Sequence, residues 1–328
     1  MAAKAARKPA RNVSPAKQAE REAKREALLT DLAEGISALV TSDAWQQYLD
    51  VQARFHNYSF TNTMLILCQR PTATQVASYR KWAELGRQVR KGESAIRVWA
   101  PCMRKVSEPS EAIITDGESE TAERKVSGFV LVPVFDVSQT DGDPLPEPCK
   151  LLDGQDDNGI FASLSAYAQS LGYRVETPAE IPGHPTANGL CEYGNRCLSV
   201  ASARSPLQMV KSLTHEIGHA LLHEPKPDGT REESRSLCEL EAESVAYVVC
   251  QSLGLDTSGY SFGYVATWQS GGAKKAAENI KASGKRISSA SRKILDTLEA
   301  MKPADLGTHA DLPYQAGDIF GYIAASAA

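Results

Sequence analysis

His215-Glu216-Ile217-Gly218-His219 lies inside a segment whose apolar residues, Leu207, Val210, Leu213, Ile217 and Leu221, recur at helical spacing. Residues four apart on a helix share a face, so both imidazoles can bind one metal ion. Glu216, a third of a turn away, can then reach a water beside that ion. The helix must therefore be packed on one side and open to a ligand on the other. A catalytic zinc takes three protein ligands and leaves a fourth position free. The third ligand is expected from Glu239-Leu240-Glu241-Ala242-Glu243, which begins twenty residues beyond His219 and opens the next helical segment. Glu239 and Glu243 share a face, which makes Glu239 the expected ligand and Glu243 the expected hydrogen-bond partner of a ligand imidazole. Glu241 points elsewhere on a regular helix and is the alternative ligand. His223, one turn past His219, is too close to act as the third histidine of an extended HExxHxxGxxH site and reads as a packed or supporting imidazole.

The chemistry implied is metal-assisted hydrolysis, with Zn2+ as cofactor, Glu216 as the base and a protein or peptide as a possible substrate. Tyr193, Tyr247 and Tyr264 are equally open candidates for stabilising a developing oxyanion.

A chain of 328 residues exceeds what one hydrophobic core usually organises, so two domains are expected. The composition, 42% hydrophobic and 23% charged, excludes a mostly disordered chain or a coiled-coil rod. No uninterrupted run of about 18 apolar residues is present, so no membrane partner and a cytoplasmic location are expected. The seven cysteines are scattered and never spaced as CxxC, which reads as reduced buried thiols. Residues 1–27 are expected to be a disordered basic arm, its first 25 residues holding eight basic and two acidic side chains.

From residue 28 the pattern turns helical, with segments at Phe60 to Gln69 and about Thr74 to Leu85, the latter capped by Gly86. Ala95 to Ala100 and Val126 to Val137 read as strands joined by a connection, 106–123, that carries six acidic residues and no basic one. The Pro-rich segment 140–150 is the expected linker between a first domain, 28–139, and a second, 151–306, followed by a tail at 307–328. The second domain is expected to hold helices near Phe161 to Leu171, Ser205 to His223, Glu233 to Leu253 and Ala273 to Met301, the last broken near Gly284. A strand-turn-strand is expected at Gly189 to Val200. The fold class is α+β.

Between Arg70 and Lys105 the chain carries nine basic residues, among them Arg70, Arg80, Lys81, Arg87, Arg90, Lys91 and Arg97, interleaved with Tyr79, Trp82 and Trp99. Cations flanking flat rings suit non-specific binding of single strands, because every base has a stackable face. The other reading is that Tyr79 and Trp82 belong to a helix core whose charges form its solvated side. On the first reading a fragment of about residues 1–150 binds single-stranded DNA by itself.

Phe55-His56-Asn57-Tyr58-Ser59-Phe60-Thr61-Asn62, Gln69-Arg70-Pro71-Thr72-Ala73-Thr74, Trp82 and Val89-Arg90-Lys91-Gly92-Glu93 together resemble the N-terminal single-stranded-DNA-binding domain of ArdC-type antirestriction proteins. These are plasmid-borne and share the domain with some conjugative primases. The stretches HEIGHALLH and ELEAE resemble the ImmA/IrrE group of zinc metallopeptidases, which the same proteins carry C-terminally. The resemblance implies single-stranded-DNA binding in the first domain and a zincin-like metallopeptidase fold in the second. It also implies protection of incoming plasmid DNA from restriction during conjugation. It carries His215 and His219 over as metal ligands and Glu216 as base. Glu243 stands where this group commonly has Asn. Two other readings remain: a pure single-strand-binding protein with a structural metal site, and an accessory subunit of a plasmid primase or replication assembly.

Overall fold

The computed structural model describes residues 14–105, 124–145, 159–226, 228–229, 233–255, 257 and 272–301. The first thirteen residues of the basic arm, the acidic connection 106–123, residues 146–150 of the expected linker and the tail lie outside them.

The chain begins with three helices, α1 (Pro15–Ala38), α2 (Ser42–Arg54) and α3 (Phe60–Gln69), followed by β1 (Val76–Ala77), α4 (Tyr79–Glu84), β2 (Arg87–Val89), β3 (Ile96–Lys105), β4 (Arg124–Asp136) and β5 (Thr140–Gly142). The second half contains α5 (Ile160–Ser170), β6 (Arg174–Glu176), β7 (Gly189–Glu192), β8 (Cys197–Val200), α6 (Pro206–Leu222), α7 (Arg235–Ser252) and α8 (Ala273–Ala300). β1, β4 and β3 form an antiparallel sheet, β5 pairs with β2, and β8 lies between parallel β6 and antiparallel β7. This is the α+β, two-domain architecture expected.

Helix starts follow local chemistry. Thr41, Ser59, Ser78, Ser205 and Ser234 each accept a hydrogen bond from the backbone N–H three residues on. Each such cap stabilises its helix by about 1 kcal/mol. Capping by Ser78 explains why α4 is shorter than its periodicity suggests. Val76 and Ala77 pair instead with Asp136 and Phe135 of β4, and the Asp136 carboxylate accepts from the N–H groups of Thr74 and Gln75 at 2.8 and 3.1 Å.

Four further expectations are corrected. α1 begins at Pro15, so residues 15–27 are helical. Proline suits the first helical position, and the Ala, Lys, Arg and Glu that follow are strong helix formers. Thr140–Gly142 do not belong to a free linker but pair with Arg87–Val89. α8 runs unbroken through Gly284, because this glycine provides clearance: a Cβ there would stand 2.1 Å from Cδ2 of Phe60. The cysteines are free among the described residues, but only Cys197, Cys238 and Cys250 are buried; Cys68 is exposed.

The main core joins the two halves. Trp45, Tyr48, Leu49, Phe60 and Met64 pack in one cluster with Val245, Val248, Val249, Ile280 and Ile287. Trp45 Nε1 donates to Ser244 Oγ at 3.0 Å, Ser252 Oγ donates to the Ala53 carbonyl at 2.9 Å, and the Tyr247 hydroxyl bonds Asp50. A smaller core, including Phe55, Ile66, Val76, Val98 and Val134, lies under the first sheet.

The outer edge of β3 is covered by side chains of α3. Asn62 exchanges hydrogen bonds with the N–H and C=O of Trp99 at 2.8 and 2.9 Å, and Gln69 does the same for Arg97 at 2.8 and 3.0 Å. Two amides one heptad apart thereby occupy backbone groups that would otherwise offer an edge for aggregation.

Candidate metal centre

α6 starts with Ser205 as cap and Pro206 in its first turn, and it buries Val210, Leu213 and Ile217. α7 crosses close to it at Gly218, where a Cβ would lie 3.2 Å from the Cα of Ala242. That crossing sets Glu239 and Glu243 of α7 opposite His215 and His219. The Nε2 atoms of the two histidines are 3.0 Å apart, and Glu239 Oε2 is 3.4 Å from His215 Nε2 and 3.5 Å from His219 Nε2. Tetrahedral zinc with bonds of about 2.0–2.1 Å requires ligand atoms roughly 3.3 Å apart. The triangle therefore fits a zinc-sized ion with one position open, and it is the one such cluster among the described residues.

The atoms behind the triangle orient it. Glu243 Oε2 lies 2.9 Å from His215 Nδ1 and accepts its proton, which leaves the Nε2 lone pair for a metal. On the other side, His219 Nδ1 lies 3.1 Å from His223 Nδ1, and His223 Nε2 lies 3.1 Å from Glu241 Oε2. A carboxylate only accepts, so His223 carries its proton on Nε2, accepts at Nδ1, and takes the Nδ1 proton of His219. His219 Nε2 is again left free.

Glu241 is fully buried and does not face the triangle. Arg286 of α8 binds both its oxygens, one through Nε at 3.0 Å. Burial raises the Glu241 carboxyl, but His223 and Arg286 outweigh this and keep it low. Arg286 was not legible as a site residue, because it stands 45 positions from its partner. One signal existed: Glu241 shares a helical face with Val245 and Val248, and a carboxylate on an apolar face needs a cation. We expect His223→Ala to weaken zinc binding about 10- to 100-fold with the helices intact. Competition against a chromophoric chelator measures this, and an unchanged affinity would remove His223 from the supporting chain.

Glu216 is buried, and its carboxyl packs against β7, where a Cβ on Gly189 would lie 2.4 Å from Oε1. Burial pushes its carboxyl up to about 7, with His215 opposing. Of the tyrosine candidates, Tyr193 donates to the His219 carbonyl at 3.4 Å. Tyr247 is turned to Asp50 on α2, and Tyr264 lies outside the described residues.

The residues expected to meet DNA separate. Trp82 is buried with Nε1 donating to the Phe135 carbonyl at 2.8 Å, and a ring without a free face cannot stack on a base. Arg87 is committed to Thr140 Oγ1 and to the carbonyls of Thr140 and Gly142, holding β5 on β2. Arg90 pairs with Glu93 at 2.9 Å and Asp141 at 3.2 Å, and Glu93 also stands 4.0 Å from Arg70. Arg80 and Lys81 both face Glu84. Tyr79, Lys91 and Arg97 are exposed, and Trp99 is half-buried.

Comparison with known proteins places two families on the chain. Residues 22–135 match the N-terminal domain of anti-restriction factor ArdC, and residues 171–250 match the IrrE N-terminal-like domain of the M78 peptidases. An uncharacterized protein of Bacillus anthracis is 26% identical over 251 residues, which are 67% of this chain and 42% of that relative. The chain thus spans about two fifths of the length of that curated relative. The metal-free crystal structure of the antirestriction ArdC protein from plasmid R388 is similar at 22% identity and TM-score 0.47, over 75% of this chain and 87% of that one. The Mn(II)-bound structure of the same protein is similar at 22% identity and TM-score 0.44, over 74% and 84%.

Proposed function

We propose that this chain, whose residues 22–135 and 171–250 match the ArdC N-terminal and IrrE-like domains, is an antirestriction protein of ArdC type that protects incoming plasmid DNA during conjugation by binding single strands with its first domain and carrying a zinc peptidase site in its second. The observation that supports this most is the triangle of His215, His219 and Glu239 beside buried Glu216. Three protein ligands with an open position make a catalytic site, whereas structural zinc sites close with four. This favours a peptidase over a single-strand-binding protein with a structural metal.

Zinc held by these three residues would supply Lewis acidity toward a substrate carbonyl and toward water. Glu216 provides a carboxylate oxygen that takes and returns a proton. Glu243 and the His223–Glu241 pair hold the imidazoles in the tautomer the site needs. No helix among the described residues is long and apolar enough to cross a membrane; we place the protein in the cytoplasm, where an incoming strand would be met.

The test is plasmid transfer into restricting and non-restricting hosts with and without the protein. An advantage confined to restricting hosts is expected, and equal transfer into both would refute the antirestriction role. Glu216→Gln should retain zinc and single-strand binding while losing metal-dependent peptide hydrolysis. Loss of the metal in that variant would make Glu216 part of the ligand set instead.

A further inference from the structure

Most of the cations expected to contact DNA are answered locally: those on α4, on β2 and at Arg90 just past it face Glu84, Glu93, Asp141 and the carbonyls of β5, and Lys91 is exposed in the turn that follows. Arg97 on β3 differs: its side chain is exposed, and no acidic group pairs with it among the described residues. Arg97 shares a sheet face with Trp99, and the register of β3 with β4 sets Pro133, Leu131 and Phe129 opposite Arg97, Trp99 and Pro101. On this face Phe129 is 65% exposed. Toward α4 the same face ends at Tyr79, 56% exposed and edge-on to Phe135 at 6.5 Å. The Arg25 guanidinium of α1 lies 5.8 Å from the Trp99 ring centre.

From Ile96 to Lys105 and from Arg124 to Phe135 the two strands contain five basic residues and no acidic one. Their register puts Arg104 opposite Lys125 and Lys105 opposite Arg124. Charge alone would not select this face, since the connection 106–123 carries six acidic residues. The exposed rings do select it: a base in a single strand can offer its flat face, and a base stacked within a duplex cannot.

We propose that single-stranded DNA lies along the β3–β4 face, its bases stacking on Phe129 and Tyr79 and its phosphates meeting Arg97. This rests on the single-strand reading of the first domain and moves the contact from the α4–β2 cations to the ribbon. The test uses the full chain and a fluorescein-labelled oligo-dT of twenty nucleotides, followed by anisotropy at low salt. Phe129→Ala and Arg97→Ala should each weaken binding about tenfold, within the range measured for stacking platforms. Arg80→Gln and Arg90→Gln should bind as wild type does. Phe129→Trp should bind normally and show tryptophan emission quenched by the oligonucleotide. Wild-type binding with Phe129→Ala and Arg97→Ala unaffected would overturn this placement and leave the single-strand reading standing. A wild-type chain that ignores the oligonucleotide would overturn both. Equal affinity for a duplex, insensitive to Phe129→Ala, would replace stacking by phosphate contact alone and overturn the placement as well.

Discussion

His215→Ala or His219→Ala should abolish zinc binding, because either change leaves two ligands where the triangle has three. The loss should exceed the about 10- to 100-fold expected when a supporting partner such as Glu243 or His223 is removed. Glu239→Ala should act in the same direction while leaving the fold intact, since its side chain is half exposed and its partners are the two imidazoles. Glu241→Ala should behave differently. Arg286 would remain without its carboxylate, and breaking a buried pair costs about 3–5 kcal/mol, with the lower end expected because the Arg286 side chain is one-third exposed. Zinc content after dialysis, measured alongside thermal unfolding, separates the two glutamates. Zinc retained in both histidine variants would sink the site. A larger loss of zinc in Glu241→Ala than in Glu239→Ala, at unchanged stability, would exchange their roles.

A fragment of about residues 1–150 should fail to fold as a stable domain, contrary to the expectation that it binds single-stranded DNA by itself. Trp45, Tyr48, Leu49, Phe60 and Met64 are buried in a cluster shared with α7 and α8, and truncation would uncover much of that surface. Burial of a large apolar side chain contributes about 1.5–3 kcal/mol. Domains are stable by a net of about 5–15 kcal/mol, so partial exposure of five such residues removes most of the margin. The fragment should bind the dye ANS and lack a cooperative denaturant transition, whereas the full chain should show one. Within the full chain, Trp45→Ala should cost about 3–5 kcal/mol, because it leaves a large cavity in that shared cluster. A cooperative transition with intact near-UV circular dichroism in the fragment would show that the smaller core under the first sheet suffices. Single-strand binding is therefore best assayed on the whole protein.

Features carried by short sequence separations were legible without coordinates. Four-residue spacing puts His215 and His219 on one face, Gly86 adopts the left-handed conformation its capping position requires, and Ser205 caps the helix that bears both histidines. The approach of Glu239 and Glu243 to the histidines also followed from helical spacing once the two segments were taken to face each other. Trp82 shows the limit. Its place among basic residues suited either a stacking platform or a core ring, and only its hydrogen bond across 53 residues to Phe135 decides for the core.

What the sequence determined by itself was the set of residues on each helical face, because backbone geometry repeats every few residues whatever surrounds it. What only the tertiary structure decided was which faces meet. α7 turns Glu239 and Glu243 to the histidines and, by the same packing, sets Ser244 against Trp45 across 199 residues and Glu241 against Arg286 across 45. Periodicity carries no information about such pairings. Gly218 lets α7 approach α6, and the other pairings arise where a buried indole N–H or carboxylate must find a partner out of reach of water.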